Sequence, residues 1–241
     1  MSGQNTSTAV MQRRVEPHDS LDYYPTPAWS TRALCEFLKG EGFELWAQNV
    51  WEPACGEGFM ARPLAEYFAK VRATDIFRYS DDHAIADFLM QTARWDDVEF
   101  VVTNPPFQLA NQFIEKALKV ATVGVAMLVR SAFTEGQERY MSLFSVTPPA
   151  YVLQFSERVG MFRGRCVQVG APDPFNLDEK GEPRKAATAT SYCWLVWLHG
   201  QTDTRYRWIA PCREQMERPG DYPAYAEQWA AISAAKAGGL L

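Results

Sequence analysis

The chain has 241 residues, a formal net charge of -5 and a sequence pI near 5.3, dimensions that suit one domain whose core needs neither disulfides nor a structural metal. The acidic balance excludes a protein that coats nucleic acid through bulk charge, so any such contact has to be local. Five cysteines without a C-x-x-C pair and three dispersed histidines form no zinc-site pattern.

The first 20 residues are polar and carry Arg13 and Arg14, a composition that predicts a disordered tail rather than a signal peptide. With no long apolar segment elsewhere, a soluble cytoplasmic protein with reduced thiols is expected. Asp22 to Pro27 reads as an extended segment fixed by two prolines, and Ala28 to Leu38 as an amphipathic helix with Thr26 placed like its N-cap. Asn49 to Glu52 predicts a buried strand entering the turn Pro53-Ala54-Cys55-Gly56-Glu57-Gly58, followed by a helical pattern over Phe59 to Ala69. Such a glycine turn lets backbone approach a ligand closely.

Val71 to Thr74 reads as a second strand ending at Asp75, the position where α/β nucleotide folds bind a ribose diol. Ala84 to Leu89 offers a third strand closing on Asp87 and Phe88. Glu99 to Thr103 is the fourth, Asn111 to Ala121 the following helix, and Val123 to Val129 the fifth strand. Tyr151 to Phe155, Ser191 to Leu198 and Arg205 to Ile209 are further strand candidates. Ser156 to Thr190 reads as one long surface loop, and a short helix packs within Tyr222 to Leu241, before Gly238-Gly239. Alternating strands and helices predict a parallel sheet covered on both faces, with its ligand crevice beyond the carboxyl ends of the strands.

Asn104-Pro105-Pro106-Phe107 follows the fourth strand directly. The prolines forbid a continued ladder or an immediate helix, so the Asn104 amide is held at the strand end beside carbonyl acceptors and an aromatic face. Taken alone these residues also suit a plain rigid loop. A planar, amine-bearing ring such as a nucleobase fits the combination. The Pro53 to Gly58 turn lacks the third glycine of a dinucleotide fingerprint and the Lys-Ser/Thr of a phosphate loop, so neither NAD nor ATP is supported.

Taken in order, Glu52 to Gly58, Asp75, Asp87-Phe88 and Asn104 to Phe107 resemble the motifs of class I S-adenosylmethionine-dependent DNA amino-methyltransferases, of the N6-adenine type in which the cofactor motif comes first. The stretches Arg158 to Arg165 and Thr188 to Trp197 look similar to compact phage and prophage adenine methyltransferases. The resemblance implies a single Rossmann-like domain over residues 21–212, with a mostly parallel seven-stranded sheet, and a tail over residues 213–241. It implies S-adenosyl-L-methionine as cofactor, with Thr26, Glu52, Pro53, Ala54, Gly56 and Gly58 at the methionyl and sulfonium end. Asp75 would take the ribose, Asp87 and Phe88 the adenine, and Asn104 borders the cofactor. Departures are Pro53-Ala54-Cys55 where many members have Phe-x-Gly, and Phe107 where the best-known DNA enzymes have Tyr. A terminal Phe also occurs in enzymes that methylate adenine in RNA.

The implied reaction is direct methyl transfer to the N6 amine of adenine in DNA. Asn104 and the Pro105 carbonyl accept from the amine, Pro106 holds the turn, and Phe107 stacks on the flipped base. Adenine N6 in RNA and cytosine N4 in DNA are the alternatives. Arg158, Arg163 and Arg165 are the expected phosphate contacts in the 156–190 loop. Two other classes are a nicotinamide oxidoreductase, which leaves Asn104 to Phe107 unexplained, and a non-catalytic nucleic-acid-binding module, which leaves the cofactor motifs unexplained. Cys55 and Cys212 are read as structural, since this chemistry needs no thiol nucleophile.

Overall fold

The computed structural model describes residues 22–91 and 97–237; the expected N-terminal tail and Gly238-Gly239 lie outside them. In chain order the elements are α1 (Ala28–Gly40), β1 (Asn49–Glu52), α2 (Ala61–Leu64), β2 (Lys70–Asp75), β3 (Ala84–Ile85), β4 (Phe100–Thr103), α3 (Ala110–Val120) and β5 (Gly124–Arg130). There follow α4 (Gln137–Arg139), β6 (Tyr151–Phe155), β7 (Pro172–Leu177), β8 (Pro183–Lys185), β9 (Tyr192–Leu198), β10 (Arg205–Ile209), α5 (Arg213–Met216) and α6 (Ala226–Ala237). One sheet of eight strands runs β10-β6-β9-β5-β4-β1-β2-β3. Only β9 is antiparallel to its neighbours, β5 and β6. The sheet thus has eight strands where the resemblance implies seven, and its edge strand β10 pairs parallel with β6.

Burial on both faces explains the continuous apolar runs of β4, β5 and β9. Phe100 and Val102 of β4 join the layer under α1, with Leu34 and Leu38, whereas Val101 joins Ile114 and Ala117 of α3 on the other face. Two buried indole N–H groups are paired: Trp194 of β9 donates to the Ser30 carbonyl of α1 at 3.1 Å, tying sheet to helix, and Trp51 of β1 to Thr74 Oγ1 of the neighbouring β2 at 2.8 Å. Such bonds are needed because a buried unpaired N–H is costly.

Several boundaries differ from the sequence expectation. The helix expected over Phe59 to Ala69 holds α geometry only as α2; beyond it Glu66 and Tyr67 donate to carbonyls three residues back, and Ala69 already bonds Gln48 as the chain joins the sheet. The third strand stops at Ile85, because Asp87 Oδ1 accepts the Leu89 N–H at 2.9 Å and turns the chain. Thr26 is no N-cap: Pro27 holds that position without a side-chain bond, and the buried Thr26 hydroxyl faces Met161 Sδ at 3.8 Å. The expected loop from Ser156 to Thr190 contains the β7–β8 hairpin and a bridge between Phe162 and Arg165. Tyr225 and Ile232 anchor the C-terminal segment, Ile232 by burial and the Tyr225 hydroxyl by accepting the Cys166 N–H at 2.7 Å. Among the described residues no helix is long and apolar enough to cross a membrane.

Candidate nucleotide-binding and transfer site

β1 pairs with β2 on one side and β4 on the other, so chain order reverses between β1 and β4. Neighbouring crossovers part there, which opens a crevice beyond the carboxyl ends of the two strands. A cavity of about 170 Å³ occupies it. Its wall includes Thr26, Glu52, Pro53, Ala54, Gly56, Asp75, Asp87, Phe88, Asn104 and Pro106, so residues dispersed over the sequence meet in one place. Gly58, Pro105 and Phe107 stand outside that lining.

The turn after β1 is shaped by close packing. Gly56 has φ +53°, and a Cβ there would lie 2.5 Å from the Tyr23 ring, so a side chain is excluded both by conformation and by space. Gly58, at φ +81°, faces the His83 ring, which a Cβ would meet at 2.8 Å. Asp75 secures the turn from β2: its Oδ2 accepts the Gly56 N–H at 2.9 Å and its Oδ1 the Phe77 N–H at 3.0 Å. Burial pushes the Asp75 carboxyl up, and these backbone donors pull it back. Each carboxylate oxygen keeps a further lone-pair direction for a ligand hydroxyl.

Glu52, at the end of β1, is 2 % exposed, and its Oε2 has no hydrogen-bond partner. Burial raises its carboxyl well above the usual range, the Asp75 charge raises it further, and Arg62 opposes both. An unpartnered acid in a cavity wall is suited to a cationic or proton-donating ligand group. Phe88 supplies an apolar wall, wedged edge-on against Trp51 at 5.0 Å and tilted against Phe113 at 5.0 Å. Asp87 uses Oδ1 to hold the Leu89 N–H.

Asn104 follows β4 into the crevice. Its Nδ2 donates to the Tyr24 carbonyl at 3.0 Å and approaches Met161 Sδ at 3.6 Å. Because a backbone carbonyl only accepts, the amide must turn its NH2 that way. Oδ1 is thereby left as the end without a partner, although it is buried. Phe107 is fixed through its N–H, which donates to Asp22 Oδ2 at 2.5 Å. Its ring contacts the Tyr24 ring, 5.1 Å away and tilted by 43°, and lies under the Arg130 guanidinium, 4.1 Å from the ring centroid.

Sequence reasoning missed Tyr23 and Tyr79, whose stacked rings, 4.3 Å apart, close one side of the cavity. Tyr79 carries no spacing signal; the Gly56 requirement for a bare backbone was the one pointer to an aromatic neighbour. It also missed Arg130. Of the three arginines in the long segment, Arg158 hydrogen-bonds Ser191 Oγ and Arg163 lends its carbonyl to Arg165. Arg165 holds the 1 % exposed Asp173 side chain through an ion pair of 2.7 Å. None of the three lines the cavity. Burial pushes the Cys55 thiol well up and Cys212 up to about 11, so neither is an activated nucleophile. Among the described residues no group of His, Cys, Asp and Glu could hold a metal ion.

No protein-family model matches the sequence, and no match is found among curated proteins. Solved structures do resemble it. A Pyrococcus horikoshii protein provisionally named an RNA methyltransferase superposes with TM-score 0.54 at 16% identity, covering 76% of this chain and 91% of that one. A Listeria monocytogenes protein provisionally named a class I S-adenosylmethionine-dependent methyltransferase gives TM-score 0.49 at 12% identity over 88% of this chain and 72% of that one. The modification subunit of a provisionally named type I restriction enzyme from Vibrio vulnificus gives 0.49 at 12%, over 90% of this chain and 53% of that one. The overall superposition with the P. horikoshii protein, together with the strand order and the crevice between β1 and β4, makes this an α/β chain with the Rossmann-like methyltransferase fold.

Proposed function

We propose that the chain transfers a methyl group from S-adenosyl-L-methionine to the exocyclic N6 amine of adenine in DNA. The observation that carries this reading is Asn104: its amide is oriented by the Tyr24 carbonyl, so that a buried acceptor oxygen without a partner borders a cavity shared with Glu52, Asp75 and Phe88. That wall suits the cofactor. Glu52 is placed for its cationic methionyl and sulfonium end, Asp75 for the ribose hydroxyls, Phe88 for the adenine, and Gly56 for close backbone approach. When bound, the cofactor supplies an electrophilic methyl group.

An exocyclic amine is a poor nucleophile because its lone pair is delocalised into the ring. Asn104 Oδ1 and the Pro105 carbonyl, accepting from its two N–H bonds, favour the pyramidal nitrogen of the transition state and aim its lone pair. Catalysis is then positioning and electrostatics without a covalent enzyme intermediate, in keeping with two cysteines whose thiols are held protonated. Phe107 offers the flipped base a stacking face worth roughly 1–3 kcal/mol against the cost of unstacking. Arg158 and Arg163, outside the cavity, are the proposed phosphate contacts; Arg165, the third that the sequence suggests, is engaged instead by the buried Asp173. The terminal Phe107 also supports a second reading, adenine in RNA, a polymer that the name of the P. horikoshii neighbour shares.

Nucleoside mass spectrometry of DNA and RNA incubated with the protein and S-adenosylmethionine tests the proposal. N6-methyladenine from DNA is expected; N4-methylcytosine or methylated RNA would reassign the substrate, and a methylated ring carbon would sink the mechanism. Asn104→Ala should lower the single-turnover rate by about 10²–10³-fold, as for other preorganised hydrogen-bonding groups, while leaving cofactor affinity near that of the wild type.

A further inference from the structure

Phe107 stands in the position expected to stack on the target base, yet its ring already has two neighbours. The Tyr24 ring packs against it at 5.1 Å with a tilt of 43°, and the Arg130 guanidinium lies over it, 4.1 Å from the centroid. A base stacked on the face under Arg130 needs the place of the guanidinium. Tyr24 cannot leave: it is 6 % exposed, and its carbonyl orients Asn104. Arg130 can, because it is the exposed last residue of β5. Its register partner is Tyr192 at the start of β9, whose buried hydroxyl is raised by desolvation while the hydrogen bond and charge of Arg130 pull it back. The guanidinium therefore contacts two aromatic residues, Phe107 and Tyr192, beside Pro106 and Asn104 of the cavity wall.

We propose that Arg130 is a positioning residue exchanged between two partners: it lies on Phe107 until the target base takes that ring face, and it then pairs with a phosphate of the target strand. The inference rests on the methyltransferase reading given above. The exchange is chemically favourable for an arginine, whose planar fork suits both an aromatic face and a phosphate. Leaving an exposed cation–π contact opposes base binding by only about two- to fivefold, whereas a charge-assisted bond to phosphate returns more. The chain is acidic overall, so a cation beside the cavity wall has a local task that bulk charge cannot perform. The exchange also links the arrival of the base to closure on its own backbone, because the ring face under Arg130 is uncovered only when the guanidinium moves.

Arg130→Ala, Arg130→Lys and each of these combined with Phe107→Ala test the idea, assayed on the polymer that the wild type methylates, with S-adenosylmethionine binding as the check on folding. Arg130→Ala should raise KM for the polymer about tenfold, as for loss of one hydrogen bond to a charged group. It should also flatten the plot of log affinity against log salt by about 0.9 on duplex DNA or 0.7 on a single strand. Arg130→Lys should restore the slope, since it keeps the charge. In the Phe107→Ala background the salt effect of Arg130→Ala should persist undiminished. A slope unchanged by Arg130→Ala, or an effect that disappears once Phe107 is removed, would show that Arg130 merely packs on the ring and would overturn the proposal. Failure of the methyltransferase reading has a separate signature: the wild type would methylate neither DNA nor RNA, and the inference would fall with it.

Discussion

Replacing Glu52 by Gln should raise stability and weaken cofactor binding at once, two effects of opposite sign from one atom. The side chain is buried, its Oε2 lacks a partner, and its carboxyl is held above the ordinary value of 4.5. A folded-state pKa above the unfolded one means that the folded protein binds the proton more tightly. Stability from this group is full below about pH 4.5 and is lost as pH rises through the folded pKa. At pH 7 the loss is capped by the two and a half pH units between 4.5 and 7, or about 3.4 kcal/mol at 1.36 kcal/mol per unit. Gln carries no such term, so Glu52→Gln should flatten the fall in stability between pH 5 and pH 8. For a chain of this size each kcal/mol recovered corresponds to roughly 2–4 °C in Tm. The same change removes a charged acceptor, which costs about 1.5–3 kcal/mol in a ligand contact, roughly a ten- to 150-fold loss of affinity. Thermal melts across pH measure the first effect, and calorimetric titration with S-adenosylmethionine the second. Titration in buffers of different ionisation enthalpy should also reveal proton release from the wild type and none from the variant. Parallel stability–pH profiles for the two proteins would refute the raised carboxyl, and equal affinities would remove Glu52 from the cationic end of the ligand.

Asp75→Ala should lower cofactor affinity by an order of magnitude or more, since the lost carboxylate is both the proposed ribose acceptor and the anchor of the Gly56 and Phe77 N–H groups; titration of a folded variant with undiminished affinity would exclude it. Among the arginines of the long segment, Arg165→Ala should cost about 3 kcal/mol of stability in denaturant unfolding, because it strands the buried Asp173. Arg158→Ala with Arg163→Ala should instead spare stability and flatten the salt dependence of duplex binding by about 0.9 per contact, and an unchanged slope would move the phosphate surface elsewhere.

Much of the sheet is readable from the sequence, because β4, β5 and β9 are buried on both faces and so must be apolar throughout. The position of Arg205–Ile209 is not, since an edge strand with four exposed residues carries little information about which neighbour it joins. Helix length after the glycine turn is also hidden: the apolar pattern from Phe59 continues past α2 through turns that bury Phe68 without α geometry. Strand ends were the reliable guide to the site. Glu52, Asp75 and Asn104 each stand where a parallel strand delivers its last side chain to one edge, so their meeting follows once the order of strands is known. Phe107 and Arg165 show the complementary case. Residue type correctly marks one as aromatic and the other as cationic, but their immediate partners, Arg130 and Asp173, are set by tertiary packing.

The distribution of charge in depth follows from the same packing and separates two kinds of recognition. Glu52 and Asp75 lie in the cavity wall, where burial raises both carboxyls, and they suit a compact ligand with a cationic end and a diol. Arg130 and Arg158 are exposed, clear of that wall, and suit a polyanion that stays outside it. Exchanging the two sets would leave unpaired cations buried and anions facing a phosphate backbone, each costly. A net charge of -5 is therefore compatible with a nucleic-acid substrate, provided that a few arginines form the rim near the cavity. Asn104 stands at the junction, a neutral amide whose buried oxygen belongs to neither charged set. A neutral amide offers an N–H donor an acceptor that burial does not shift, whereas a buried carboxylate is raised as Glu52 is.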